Sequence, residues 1–262
     1  MATQDADVGY EVAGAVATLT LRRPALTTAA KEQLLGAVTR AAEDDDVRAV
    51  VLTGSGRAFC AGQDLGEHAE ALERDPGTAF ETIGRHYNPV ISALTGAPKP
   101  VVAAINGTCA GAGISLALAC DVRLAAAGAR FATAFTAIGL TFDSGLSATL
   151  ARAVGAARAS ELILLGEPFT AEQALDWGLV GRVVPADELP DAAAAVAAKL
   201  AAGPTRAYAA AKRALAEAWG APLPAVLEAE RAAQEALGRT ADHQGAVRAF
   251  LAKQPPAFTG RD

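Results

Sequence analysis

Two short runs of small residues are the parts of this chain best suited to chemistry. The first is Phe59-Cys60-Ala61-Gly62-Gln63-Asp64-Leu65. The second runs from Asn106-Gly107-Thr108-Cys109-Ala110-Gly111-Ala112-Gly113 into Ile114-Ser115-Leu116-Ala117-Leu118-Ala119-Cys120-Asp121. Each is squeezed between an apolar strand and a helix. Small residues let a ligand approach the backbone closely. The first turn of a helix leaves peptide N–H groups without intrahelical partners. Two such turns facing one point can hold an oxyanion between two N–H groups. Taken singly, either turn is equally well explained as a place where a helix packs tightly on a strand.

The surrounding elements must bring these turns together. Residues 8–22 alternate apolar and polar through Val12, Val16, Leu19 and Leu21, a strand pattern, and Pro24 closes the hairpin. Thr27 or Thr28 can cap a helix carrying Leu34, Leu35 and Val38 on one face and ending near Asp44-Asp45-Asp46. Arg48–Gly54 is a short apolar strand leading to the first turn. Residues 66–96 read as helix in two pieces, broken around Asp75-Pro76-Gly77. Lys99-Pro100 opens the strand Val101–Ile105, which leads to the second turn. Val122-Arg123-Leu124 and Arg130-Phe131 are further short strands. From Ser144 onward helices dominate, over 144–154, 156–165, 171–177, 187–201, 204–218 and 222–251, with one last strand at Val180–Val184. Strands alternating with helices imply parallel pairing through crossover units. This is an α/β chain with a core over 1–200 and a helical subdomain over 201–262.

Composition narrows the function classes. The chain has 262 residues and a formal charge of −6 with no Lys/Arg run, which argues against nucleic acid as a partner. Cys60, Cys109 and Cys120 form an odd set without metal-ligand spacing, so no metal site is expected and the thiols read as reduced and buried. Residues 1–7 lack a basic and then apolar leader, and the expected location is cytoplasmic. Val101–Cys120 is uncharged and long enough to span a bilayer. Asn106, Thr108 and three glycines interrupt it, so it reads as buried strand, turn and buried helix, with no membrane partner.

With these residues in hand, the sequence resembles the enoyl-CoA hydratase/isomerase (crotonase) family nearly end to end. The resemblance is carried by Gly56–Leu65, by Pro98-Lys99-Pro100-Val101-Val102-Ala103-Ala104-Ile105-Asn106-Gly107, and by Ser115–Asp121. It implies the crotonase (ClpP-like) fold, a spiral of ββα units with a C-terminal helical trimerisation subdomain, and a homotrimer or homohexamer. It implies an acyl-CoA thioester substrate, which brings its own CoA, so no separate cofactor is needed. Carried over by position, the oxyanion donors are the backbone N–H groups of Gln63 and Ala112. Ala61 and Gly62 fall beside CoA. Phe250 and Lys253, in a segment similar to one that covers the adenine end from a neighbouring subunit, are candidate CoA contacts or simply part of an amphipathic helix. Arg22-Arg23-Pro24-Ala25-Leu26-Thr27 departs from the family pattern at its CoA-contacting loop.

Hydratases of this family use two glutamates. Here those positions hold Ser115 and Phe135, and neither residue can replace a carboxylate as acid and base. One carboxylate remains, Asp143, in Leu140-Thr141-Phe142-Asp143-Ser144-Gly145. That stretch, with Tyr87-Asn88-Pro89 and Ala110-Gly111-Ala112-Gly113, resembles the phenylacetate-pathway isomerase subgroup, whose members isomerise a ring epoxide of phenylacetyl-CoA or shift a 3-enoyl double bond to position 2. The resemblance makes Asp143 the acid/base. Phe142, Phe135 and Leu140 should desolvate it and raise its pKa. Alternatively, Asp143 or Ser144 caps the helix at Gly145–Val154, and both roles are compatible. Tyr87, Ser115, Phe135 and Phe142 are the candidate acyl-pocket residues. Asp64 reads as a helix cap, and His68 either faces the pocket or, as the plainer reading, lies on the helix surface. The resulting expectation is an acyl-CoA isomerase. A hydratase acting on a 2-enoyl-CoA and a thioester-binding protein without catalysis are the alternatives.

Overall fold

In a computed structural model describing residues 6–261, the chain begins with an antiparallel hairpin, β1 (Val8–Ala13) and β2 (Val16–Leu21). The leader-free reading rests largely on residues 1–5, which lie outside the described residues. After β3 (Ala25–Leu26) comes α1 (Thr28–Glu43), capped at Thr27, whose hydroxyl accepts from the Ala30 N–H at 3.0 Å. Then follow β4 (Ala49–Gly54), β5 (Ala58–Cys60), β6 (Gly62–Gln63), α2 (Leu65–Arg74), a π turn at Ile83–Tyr87 and α3 (Asn88–Gly96). The next units are β7 (Val101–Ile105), β8 (Thr108–Ala110) and α4 (Ala112–Ala119), then β9 (Val122–Ala126), β10 (Arg130–Ala132), α5 (Leu146–Val154) and α6 (Ala156–Leu165). The chain closes with β11 (Phe169–Thr170), α7 (Ala171–Asp176), β12 (Arg182–Val184), α8 (Leu189–Ala201), α9 (Thr205–Ala218), α10 (Leu223–Gly238) and α11 (Ala241–Leu251).

A six-stranded sheet has the order β1-β2-β4-β7-β9-β12, and all its pairs after the hairpin are parallel. A four-stranded sheet has the order β11-β10-β8-β5. Each repeat therefore gives one strand to the large sheet, the next to the small sheet, and then a helix: β4-β5, β7-β8 and β9-β10 climb in step. The central strands are apolar on both faces, as parallel strands covered on both sides must be. Val50, Leu52, Val101, Ala103 and Ile105 join the larger core with α1, α3 and α4. Their neighbours Ala49, Val51, Val102 and Ala104 pack on Leu189, Ala193, Ala197 and Ala201 of α8.

Polar clamps fix the strand ends. Asn106, closing β7, accepts from Gly54 N–H at 3.0 Å and donates to the carbonyls of Gly56 and Ala58 at 3.1 Å each. Lys99 is buried and satisfies the C-terminal end of α1, donating at 2.8 Å to the carbonyls of Ala41, Asp44 and Val47. Asp121 accepts from Val101 N–H and from Lys212 of α9, each at 2.7 Å.

Several sequence expectations are corrected. The two small-residue runs are not single turns, because β5, β6 and β8 lie within them as the second strands of their repeats. Val12 is 46% exposed, since its edge strand has one face in solvent. The helix expected over 222–251 breaks after Gly238, and Thr240 starts α11 by accepting from His243 N–H at 3.2 Å. The last strand covers only Arg182–Val184. The Val101–Cys120 stretch is strand, strand and buried helix, and no described helix is long and apolar enough to cross a membrane. The three cysteines are buried and unpaired.

A close backbone contact joins the first repeat to the second. A Cβ on Gly113 would lie 2.2 Å from the Cys60 carbonyl oxygen. Gly113→Ala should destabilise the protein by about 3 kcal/mol, read as a lower urea midpoint with the slope unchanged.

Candidate active site

Gly62 brings the two runs together. Its φ is +92°, and a Cβ there would meet the Ala110 carbonyl oxygen at 3.1 Å and the Ala112 nitrogen at 3.3 Å. The positive φ favours glycine, and the close backbone atoms leave little room for a side chain. Beside it, Ala61 N–H donates to Pro24 O at 2.6 Å and Asp64 N–H to Leu26 O at 3.2 Å, so β6 is stitched to β3. Asp64 then caps α2 by accepting from Glu67 N–H at 3.0 Å, as expected. Ala112 is the first residue of α4, so no carbonyl of its own helix can accept its N–H.

Next to this junction is a cavity of about 410 Å³. Ala61, Gly62, Gln63, Tyr87, Ala112, Phe135, Phe142 and Asp143 all line it, so one space gathers most of the residues selected from sequence. The rest of its wall is largely apolar, with Leu65, Phe80, Ile83, Ile138 and Leu140. Its size and few convergent polar groups suit a small-molecule site.

Three of the expected site residues lie elsewhere. Ser115 is buried in α4, does not line the cavity, and its hydroxyl has no hydrogen-bond partner, neither substrate-facing nor bonded to the helix backbone. Helical register turns it into the protein, away from the turn that precedes it. Phe250 is 81% exposed near the end of α11, and Lys253 follows that helix with φ of +55°. Neither touches the cavity within one chain. Of the two readings of His68, the structure has the pocket-facing one: it lines the cavity, its ring edge-on to Phe80 with centroids 5.3 Å apart.

Asp143 is the one carboxylate among the described cavity residues. It does not cap α5 through its side chain. The cap position is Gly145 without a side-chain bond, and the Asp143 carbonyl instead accepts from Leu146 N–H at 3.0 Å. Ser144 and Gly145 are both left-handed, with φ of +53° and +72°. Oδ1 of Asp143 and Oγ of Ser144 are buried without partners. Burial pushes the Asp143 carboxyl above the usual carboxylate range, against smaller opposing pulls from the nearby Ser144 hydroxyl and from Lys31.

Behind the cavity wall is a network that sequence reading did not find. Tyr87 donates to Gln63 Oε1 at 2.6 Å, and Lys31 Nζ donates to the same oxygen at 3.0 Å and to Thr82 Oγ1 at 2.7 Å. Lys31 was legible in principle. With Leu34, Val38 and Ala41 it repeats at helical spacing on the buried face of α1, where a lysine is out of place. The thiols offer no competing nucleophile, because burial pushes Cys60 and Cys120 each up to about 12.

A spiral of ββα repeats with two glycine-bearing junctions beside an apolar, acid-bearing cavity defines a crotonase-fold protein. The chain belongs to the enoyl-CoA hydratase/isomerase family, whose profile matches residues 11–261. It is 46% identical over 259 residues to a probable enoyl-CoA hydratase of Rhodobacter capsulatus, covering 97% of this chain and 98% of that one. It is 41% identical to the 1,2-epoxyphenylacetyl-CoA isomerase of Escherichia coli over 250 residues, covering 94% and 95%. A crystal structure from Mycobacterium abscessus, provisionally described as an enoyl-CoA hydratase/isomerase, superposes with a TM-score of 0.93 at 49% identity, covering 97% and 100%.

An aspartate raised in the folded state costs stability once ionised. That cost is absent below its unfolded titration range near pH 4, grows as pH rises, and is complete above the folded-state range. Asp143→Asn should therefore raise the melting temperature at pH 8 and leave it nearly unchanged at pH 3.5, measured by calorimetry at both values.

Proposed function

We propose that the protein is an acyl-CoA isomerase in which Asp143 moves a proton within an enolate held at the Gln63 and Ala112 N–H groups. The observation that carries this is a single cavity carboxylate with an unpartnered buried oxygen, raised by burial, beside two abutting small-residue junctions. Shifting a double bond from position 3 to position 2 takes a proton from C2 and returns one to C4. One carboxylate on one face serves both steps, as base and then as acid. Between them the thioester oxygen carries charge, and each N–H aimed at it is worth about 3 kcal/mol. Ala61 and Gly62 lie where the CoA portion would pass, and Tyr87, Phe135 and Phe142 would bound the acyl group. Phe80, Phe135, Phe142 and Tyr87 suit a flat ring as well as a chain. The Escherichia coli relative acts on such a ring thioester, which supports including ring-bearing acyl groups.

Asp143→Asn should lower turnover of a 3-enoyl-CoA about 10²- to 10⁴-fold, followed by absorbance of the conjugated 2-enoyl product. Unchanged turnover would remove Asp143 from the mechanism. The wild-type kcat/KM should fall as pH drops through the raised titration of Asp143, because the base must be ionised to start.

His68 favours a second reading. A second proton-carrying side chain in the cavity is what a hydratase without the usual glutamates would need, and the Rhodobacter relative carries a hydratase name. A 2-enoyl-CoA separates the two: 3-hydroxyacyl-CoA formation that is lost in His68→Ala identifies a hydratase. Thioester binding without exchange of α protons for deuterium in heavy water would identify a binding protein.

Self-association belongs to the same proposal. Leu215, Trp219, Leu223, Leu227 and Phe250 leave large apolar surfaces exposed on α9–α11. A trimer or hexamer would cover them and bring Phe250 and Lys253 of one copy toward the CoA of another. Light scattering should give a mass three or six times that of the chain, and Leu227→Glu should reduce it.

A further inference from the structure

Two lysines are buried among the described residues, and they are held in opposite ways. Lys99 places all three of its protons on main-chain carbonyls at the end of a helix, which is a complete structural bond set. Lys31 reaches two neutral side-chain oxygens, Gln63 Oε1 and Thr82 Oγ1, and its ammonium lies 4.8 Å from the centre of the Tyr87 ring. None of its hydrogen bonds goes to a carbonyl of the main chain, and no carboxylate among the described residues pairs with it directly. A lysine kept only for packing would be better replaced by an apolar residue.

Its surroundings point toward the cavity. Gln63, His68 and Thr82 are shared walls between the acyl cavity and a smaller polar space of about 290 Å³, and Lys31 opens onto the latter. The acids that act on Lys31 through space are Glu67 of α2, Asp143 and Asp64. On the far side, the Thr82 hydroxyl that accepts from Lys31 is also hydrogen-bonded to His86 Nδ1 at 3.0 Å. Nε2 of His86 faces Glu32 at 3.7 Å. Around Asp143 itself, the ionisable neighbours are Lys31 of α1, Tyr87 of the π turn, and His68 of α2 across the same cavity.

We propose that Lys31 is a positioning residue for proton transfer: from behind the wall it locks the Gln63 amide against Tyr87 and supplies the buried positive charge that balances the Asp143 carboxylate and the enolate. It does not touch substrate. The Gln63 side chain, held by two donors at one oxygen, cannot swing, so the N–H of the same residue keeps its aim. The cation also opposes the rise that burial gives the Asp143 carboxyl. This inference rests on the reading of Asp143 as the acid/base.

The test compares pH profiles of kcat/KM on a 3-enoyl-CoA for the wild type, Lys31→Met, Lys31→Gln and Lys31→Arg, with Asp143→Asn alongside. The neutral variants should move the acid limb to higher pH and lower kcat/KM at the acid end about tenfold. Lys31→Arg, which keeps the charge, should return the limb toward its wild-type place. A merely structural lysine would lower activity evenly at every pH, so an unmoved limb in Lys31→Met or Lys31→Gln overturns the proposal. So does failure of all three variants to fold. If Asp143→Asn keeps wild-type turnover, the underlying reading has failed. If Asp143→Asn is inactive while the Lys31 limb stays in place, the Lys31 proposal alone has failed.

Discussion

The structure depends on the absence of side chains where the first repeat meets the second. The Cys60 carbonyl occupies the space a Cβ would take on Gly113, and Gly62 turns with positive φ against Ala110 and Ala112. This contact sets the distance between the two junctions. Asn106 reinforces it from the strand side by bonding to the backbone on either side of the β4–β5 corner. Because the junctions sit on the second strands of successive repeats, the regular climb of the spiral places them side by side. The cavity geometry is thus a property of the repeat and not of a flexible loop.

Within that frame the cavity combines groups that are individually unfavourable. It keeps a carboxyl partly out of water, leaves one of its oxygens unpartnered, and places a lysine where apolar residues pack. Such groups lower stability unless the surroundings over-determine them. The surroundings here offset that cost only in part. Burial lowers the pKa of Lys31, Glu67, Asp143 and Asp64 pull it back, and Tyr87 and Gln63 fix its direction. Stability given up at a few positions in exchange for reactivity is common in enzyme sites.

The fold was largely legible in the sequence because its signals are local. Continuous apolar runs marked the parallel strands, Thr27 and Asp64 marked helix starts, and the paired small-residue runs marked the junctions. Errors appeared where local pattern was silent. Strands of two or three residues have no period to read, so β5, β6 and β8 passed for turns. A helix break at Gly238-Arg239-Thr240 was hidden by an unbroken helical composition on both sides. Asp143, Gln63 and Tyr87 line one cavity, whereas Ser115 does not, because one position of helical rotation decides between cavity and core. The two readings of His68 could not be separated, and Lys31 was missed, for a similar reason. Their importance lies in what stands opposite them, and that is fixed by tertiary packing.

Residue 143 divides its duties between two atoms. Its main-chain carbonyl begins α5, while its carboxyl is left for the cavity. The left-handed Ser144-Gly145 pair makes this possible by turning the chain without a side-chain cap. The helix start is therefore indifferent to what side chain sits there. Exchanging the acid for another side chain leaves the bond that starts α5 in place. A scaffold built this way can drift among reactions while its architecture stays constant.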